Sequence, residues 1–228
     1  MANTNGQPSI RVLDLFCGAG GSARGYAMPG VEIVGVDIAP QPRYPYEFVR
    51  ADATEYPLDG FDAIHASPPC KGHTGMRWAD GDTRWMLRHT LDRLAESSAR
   101  LWVVENVMSA YNNRPCIRVC GSGLGCVAHG SRLFLSRHRK FWCNVEIKEP
   151  PCNCGWYRKH GYRVAGIYGH GPNGSRYANE AIVNTAMRRR IMGIDWMLRD
   201  ELSDAIPPAY TRYLMHEAVR QGVFNACA

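Results

Sequence analysis

Two side chains in this 228-residue chain have the right neighbours for covalent chemistry, the thiol of Cys70 and the carboxyl of Glu105. Cys70 follows the apolar run Phe61 to Ala66 through Ser67-Pro68-Pro69, and Glu105 follows Leu101-Trp102-Val103-Val104. If both runs are strands of one parallel sheet, both groups arrive at its carboxyl edge, where open α/β sheets place their sites. A thiolate is a nucleophile, and a carboxyl whose pKa is raised by burial can hold or hand over a proton near neutral pH. A third feature lies upstream. Val12-Leu13-Asp14-Leu15-Phe16-Cys17-Gly18-Ala19-Gly20-Gly21 runs from an apolar strand into a glycine-rich turn, and Ser22 to Tyr26 can start a helix. Glycines there let backbone N–H groups approach a bound small molecule where a side chain would collide. About sixteen residues beyond the turn, the strand Val31 to Val36 ends in Asp37, spaced to take the ribose hydroxyls of a nucleotide-like cofactor. Taken singly, each signal has a plain structural reading: a buried loop cysteine, an ion-paired glutamate, a tight turn.

The elements that must position these groups are short and alternate. Ile10 to Leu15, Ile33 to Val36, Phe61 to Ala66 and Leu101 to Val104 read as buried parallel strands, and Arg84 to Arg100 carries Met86, Leu87, Leu91 and Leu94 at helical spacing. That alternation predicts an α/β, Rossmann-like sheet with helices on both faces. Residues 1–142 then form the cofactor-binding and catalytic region. From 143 to 185, Pro150-Pro151-Cys152-Asn153-Cys154-Gly155 and later glycines break up regular structure and interleave basic with aromatic side chains, which reads as a small irregular lobe. Residues 186–228 read as helices returning to the first region, with Pro207-Pro208 at a helix start and Tyr210, Tyr213, Leu214 and Ala218 as an apolar stripe. The 45% hydrophobic and 21% charged content is that of a folded domain, and a formal charge of +6 is a mild bias toward polyanions. Nine cysteines with no secretory or membrane-spanning run predict an intracellular, cytoplasmic chain with reduced thiols.

Taken in order, the motifs resemble those of DNA (cytosine-5) methyltransferases. They are Asp14 to Gly21, Ser67-Pro68-Pro69-Cys70, Glu105-Asn106-Val107 and Arg137-His138-Arg139, with Arg190-Ile191-Met192-Gly193 and Ala205-Ile206-Pro207-Pro208-Ala209-Tyr210 near the end. The resemblance implies that Cys70 adds to carbon 6 of cytosine so that carbon 5 can take a methyl group. It implies that Glu105 bonds ring nitrogen 3 and the exocyclic amine, and that Arg137 and Arg139 orient the base carbonyl and brace the catalytic loop. It implies S-adenosylmethionine as cofactor. Phe16, Gly18, Ala19, Gly20 and Gly21 would surround its methionine part, Asp37 with Ile38 its ribose side, Asp52 with Ala53 its adenine, and Pro69 would sit beside the nucleophile. The implied partner is double-stranded DNA bound by a monomer, its target base out of the stack. Lys71, Arg158, Lys159, Arg163 and Arg176 would be nucleic-acid contacts. The loop from Lys71 to Arg84 reads either as a lid or as an ordinary solvated loop.

The chain departs from that family's pattern at Lys71 and Leu135, where glutamine is usual, and its variable region is only about forty residues long. Three other readings stay open: the same chemistry on RNA, a modified donor carrying a larger group (for example carboxymethyl), and a non-catalytic DNA-binding protein with a helix-turn-helix over Arg188 to Leu202. A host in restriction-modification or phage DNA protection fits the small size. Cys116, Cys120, Cys126, Cys143, Cys152 and Cys154 lack two clean Cys-x2-Cys pairs, and Cys152-Asn153-Cys154 is tight for two ligands on one ion, so no metal site is assigned.

Overall fold

The computed structural model describes residues 9–70, 83–168 and 180–224. Strand β1 (Ile10–Leu15) lies between β2 (Val31–Asp37) and β4 (Ala63–Ala66), both parallel to it. β3 (Glu47–Arg50) extends the sheet beyond β2, and β5 (Leu101–Val107) pairs parallel with β4. The far side is antiparallel: β9 (His138–Cys143) pairs with β5, and β6 (Ile117–Cys120) pairs with β9. The order is therefore β3-β2-β1-β4-β5-β9-β6, seven strands. The order in which strands are added to the sheet reverses between β1 and β4, and β1 leads straight into the glycine-rich turn, the crevice where such sheets take ligands. The expected α/β sheet is present, with β5 running past Val104 so that Glu105 lies within the strand, opposite Phe141.

Both faces are covered, because alternate side chains of buried strands point to opposite sides. Leu13, Leu15, Ile64 and Val104 pack with Leu87, Leu91 and Leu94 of α2 (Arg84–Ala95). Val12, Val103 and Phe141 face α1 (Gly21–Tyr26) and α6 (Pro208–Arg220) through Ala23, Tyr26, Tyr210 and Leu214. Pro208 opens α6 as the sequence suggests, and Tyr210, Leu214, Met215 and Ala218 are its buried stripe. Tyr213 is half-buried and donates its hydroxyl to the Lys148 carbonyl.

The α1–α6 contact explains a glycine that helix propensity would not choose. A Cβ on Gly25 would lie 1.9 Å from Thr211 Oγ1 and 2.3 Å from the Pro208 carbonyl oxygen. Thr211 Oγ1 in turn donates to the Ser22 carbonyl at 2.7 Å, which locks the two helices together. In an exposed helix a glycine-to-alanine change gains about 1 kcal/mol. Here the overlap is with backbone, so Gly25→Ala is expected to destabilise by about 1–3 kcal/mol, the usual cost of overpacking. Urea unfolding with both proteins checks this, and an unchanged or higher midpoint in the variant contradicts the packing.

A second sheet of four strands, β11-β10-β8-β7, makes the small lobe. β10 (Arg163–Gly166) and β11 (Glu180–Ile182) come from the irregular stretch, but β7 (Val127–Ala128) and β8 (Leu133–Phe134) precede residue 142. The small sheet therefore takes strands from both sides of residue 142. β7 and β8 are too short to register in a periodicity argument. Among the described residues no helix is long and apolar enough to cross a membrane.

Candidate active site

A cavity of about 290 Å³ opens at the carboxyl edge of β1, β4 and β5, and the three features that open the sequence all reach it. Phe16, Cys17, Gly18, Ala19 and Gly21 line one side, Ser67, Pro68 and Cys70 the floor, and Glu105 and Arg139 the other side. The closing wall is α5 (Arg199–Asp204) and the residues after it, through Glu201, Asp204, Ala205 and Ile206. Residues up to 190 positions apart in the chain, Phe16 and Ile206, thus share one surface.

The Cys70 loop is held from both neighbours. Asn106 Nδ2 donates to the Pro68 carbonyl at 3.0 Å, and Thr83 Oγ1 donates to the Pro69 carbonyl at 3.3 Å. Asn106 is itself buried, so the middle residue of Glu105-Asn106-Val107 works as a brace for the thiol. Burial raises the Cys70 pKa, the nearby Glu105 carboxyl raises it further, and Arg139 acts against both.

Glu105 is almost completely buried, and burial raises its pKa against the opposing pull of Arg139 and Arg137. Arg139 Nε lies 2.9 Å from Glu105 Oε1, an ion-pair distance. That oxygen nonetheless accepts no well-directed hydrogen bond among the described residues. The Arg139 guanidinium thus compensates the oxygen electrostatically, with an N–H vector that is off the ideal line. A buried acceptor without a directed donor costs stability, about 1–3 kcal/mol, unless something binds there. The Ser67 hydroxyl also hydrogen-bonds this carboxyl. Behind Ser67 stands fully buried His65, with Nε2 2.9 Å from Ser67 Oγ and Nδ1 3.0 Å from the Tyr26 hydroxyl. Burial lowers the His65 pKa to about 3, so the ring is neutral and has one N–H to give. Tyr26, His65 and Ser67 thereby form a chain of hydrogen bonds ending on Glu105, a set that the sequence motifs alone did not single out.

On the ligand-turn side, the backbone conformation is one that few residues accept. Gly20 has φ 86°, and a Cβ there would sit 2.8 Å from Pro45 Cδ. Gly18 donates its N–H to Asp37 Oδ2 at 3.0 Å, and Ala39 donates to Asp37 Oδ1 at 2.9 Å. The carboxylate is thus fixed at the end of β2, with lone pairs left over for hydroxyl donors. Ile38 beside it is 69% exposed, an apolar surface suited to a flat ring. Asp52 is further out and exposed, its Oδ1 taken by the Thr54 N–H and hydroxyl, while Ala53 is buried in the core. Pro69 lies next to Cys70 and is half-buried. The turn is braced from below by Asp14, which burial pushes up to about 8 and which accepts from the Ser22 and Tyr44 hydroxyls. From the C-terminal part, Trp196 Nε1 donates to the Ala19 carbonyl at 2.8 Å.

The two arginines differ. Arg139 faces the cavity, whereas Arg137 is fully enclosed. Its guanidinium donates to the carbonyls of Ser203 and Ala205, the latter at 2.7 Å, at the end of α5. Its own carbonyl accepts from the Tyr210 hydroxyl. Arg137 therefore supports the wall formed by the end of α5. The helix-turn-helix reading over Arg188 to Leu202 is also displaced. α4 (Thr185–Met192) ends at Gly193, with φ 71°, and α5 has only six residues. Arg188 is fully buried on Val183, Gly166 and Ser203, and α5 presents acidic residues to the cavity.

Of the basic side chains expected to meet a polyanion, Arg158 and Lys159 are exposed on α3 (Cys154–Lys159) and Arg163 is exposed on β10. They lie near Trp156, which is 54% exposed and stacked on His160 at 4.0 Å. Lys71 and Arg176 lie outside the described residues, as does most of the loop read as a lid. Cys120, His138, Cys152 and Cys154 converge where the start of α3 meets the edge strands β6 and β9 of the main sheet. Two of the four come from sheet strands rather than from a local knuckle, so their approach is not written in sequence spacing.

Neither a protein-family model nor a curated protein sequence matches this chain. Among solved structures it is similar to a TehB-like SAM-dependent methyltransferase from Corynebacterium glutamicum, at 18% identity over 46% of this chain and 60% of that one, with a TM-score of 0.30. It is also similar to the YcgJ protein from Bacillus subtilis, at 23% identity over 43% of this chain and 44% of that one, again with a TM-score of 0.30. The alignments span less than two thirds of either structure. Likeness at that level leaves the chemistry to be read from the residues of the chain itself.

Proposed function

We propose that this protein is a methyltransferase that moves a methyl group from S-adenosylmethionine to carbon 5 of cytosine in DNA, through a transient bond between Cys70 and carbon 6 of a flipped-out base. The observation that carries this reading is the shared cavity: a thiol, a buried carboxyl and a glycine-rich turn all line the same space. S-adenosylmethionine supplies an electrophilic methyl carbon on a sulfonium when bound. The turn from Phe16 to Gly21, fixed Asp37 and exposed Ile38 are the residues that would hold it.

The residues of the chain supply the nucleophile, the group that stabilises the ring and the surface that meets the phosphates. Carbon 5 of cytosine is a poor nucleophile until the Cys70 sulfur adds to carbon 6 and leaves the ring electron-rich. Glu105 bonds nitrogen 3 and the exocyclic amine, offsetting the charge that this addition develops, and the Ser67–His65–Tyr26 chain lets its proton shift without exposing it to water. As the new carbon–carbon bond forms, the methyl–sulfonium bond breaks. The proton on carbon 5 then leaves to a base, and the electron pair it releases expels the Cys70 thiolate. Exposed Arg158, Lys159 and Arg163 beside Trp156 suit phosphate contact with aromatic support. A duplex hides carbon 6 within the stack, so the target nucleotide must rotate out to reach the cavity.

The test is to express the protein, hydrolyse the DNA and RNA of the host separately to nucleosides, and weigh the cytidines. Deoxycytidine heavier by about 14 Da, a methyl in place of hydrogen, is the expected result. A larger increment on deoxycytidine assigns the same covalent chemistry to a modified donor, and modified RNA beside unmodified DNA moves the substrate to RNA. DNA that binds the protein yet stays unmodified with donor present ends the enzymatic reading.

A further inference from the structure

Away from the cavity, the Cys120 thiol closes β6, the His138 ring opens β9, and Cys152 and Cys154 flank the start of α3. One ligand atom from each lies within 4.8 Å of every other. We propose that these four residues bind a zinc ion that ties the small lobe to the edge of the main sheet.

The distances suit one tetrahedral ion. Zinc–sulfur bonds of about 2.3 Å and zinc–nitrogen bonds of about 2.0 Å imply edges of roughly 3.8 Å between sulfurs and roughly 3.5 Å between sulfur and nitrogen. Cys120 Sγ and Cys154 Sγ are 3.5 Å apart, and His138 Nε2 is 3.3 Å from Cys152 Sγ. Both edges fall a few tenths of an ångström inside the ideal, and the sulfur pair is far longer than the ~2.05 Å of a disulfide. Three thiolates and one imidazole form a soft set that favours zinc over magnesium or calcium. Four protein ligands leave no open position, which makes the ion structural.

The surroundings are built to hold these ligands. Buried Ser122 places its hydroxyl 3.2 Å from both Cys120 Sγ and Cys154 Sγ, and it accepts the Asn153 N–H at 3.1 Å. Ser136 Oγ is also 3.2 Å from Cys154 Sγ. Such outer contacts orient ligands around a metal. A Cβ on Gly123 would lie 1.8 Å from the Pro151 carbonyl oxygen, so only glycine lets the segment carrying Cys152 approach the segment carrying Cys120. Cys152 is exposed and His138 half-buried, which leaves a route in for the ion. His138 stands between Arg137 and Arg139, so an ion there would anchor the start of the strand that brings Arg139 to Glu105.

The experiment measures metal in the whole chain purified from zinc-supplemented culture, by mass spectrometry of the element and by mercurial release into a colorimetric indicator. About one equivalent of zinc per chain is expected, because binding at such sites is tight enough to survive purification. Cys152→Ser should lose most of it, while Cys116→Ser, an exposed thiol outside the set, should keep it. Should Cys152→Ser fail to fold, cobalt substitution of the unaltered protein decides, since three thiolates must give intense sulfur-to-cobalt charge-transfer bands. Zinc below roughly a tenth of an equivalent after reconstitution, full zinc in Cys152→Ser, absence of the cobalt bands, or a disulfide between Cys120 and Cys154 would each overturn the proposal.

Discussion

Cys70→Ala is expected to lower cytosine modification by about 10⁴-fold or more, the scale seen when a covalent nucleophile is removed. The loss should be in kcat rather than in folding, because Cys70 is half-buried at the cavity floor and its loop is held by Asn106 and Thr83 through backbone carbonyls. An oligonucleotide with 5-fluorocytosine at the target position makes the bond visible. Fluorine cannot leave as a proton does, so after transfer the carbon–sulfur bond should persist through denaturing electrophoresis. The unaltered protein with donor should give this adduct on the Cys70 peptide, and Cys70→Ala should give none. Adduct formation by the alanine variant, or free oligonucleotide after incubation with the unaltered protein, removes Cys70 from the mechanism.

Glu105→Gln should reduce turnover by about 10²- to 10⁴-fold, the usual contribution of a positioned acid or base. The amide keeps the size of the side chain but cannot carry the proton that nitrogen 3 requires. The same substitution should have a second, opposite-looking effect. Glu105 is one cause of the raised Cys70 pKa, and Arg139 opposes it. Removing the carboxylate removes a charge that disfavours the thiolate, so the Cys70 pKa should fall in the variant. In the unaltered protein the thiol titrates above the ordinary range near 8.5, and the limb of kcat/KM that reports it rises with pH. In Glu105→Gln that limb should move toward lower pH even as the maximal rate drops. Alkylation of the Cys70 peptide followed by mass spectrometry across pH gives the thiol midpoint independently of turnover. A midpoint that stays put or moves up would mean that the two groups do not face each other.

How much of this could be read from residues alone varies with the element. The strand Ile10 to Leu15 was legible to the residue because Ile10, Val12, Leu13 and Leu15 make an apolar segment that runs directly into a glycine-rich turn. The glycine-rich turn and Asp37 were legible because a positive φ and a fixed spacing leave their mark on residue type. β7 and β8, two residues each, left no such mark, so their part in the second sheet was not legible. Arg137 and Arg139 look equivalent in a strand pattern, yet one holds the α5 carbonyls and the other pairs with Glu105. His65 lies in a run that reads as core, and its bonds to Tyr26 and Ser67 depend on a helix folded across the sheet.

By itself, the sequence determined which chemistry was available: a thiol, a carboxyl and a ligand turn, each on a local signature written in residue type and short-range spacing. Only the tertiary structure decided that these groups share a cavity, that Asn106 and Thr83 brace its floor, that α5 closes it, and that Cys120, His138, Cys152 and Cys154 converge. The physical reason is that local propensity acts over a few residues. Strand order, the reversal at β9 and the α1–α6 contact are settled by which apolar faces can be buried together, across separations that no local pattern records.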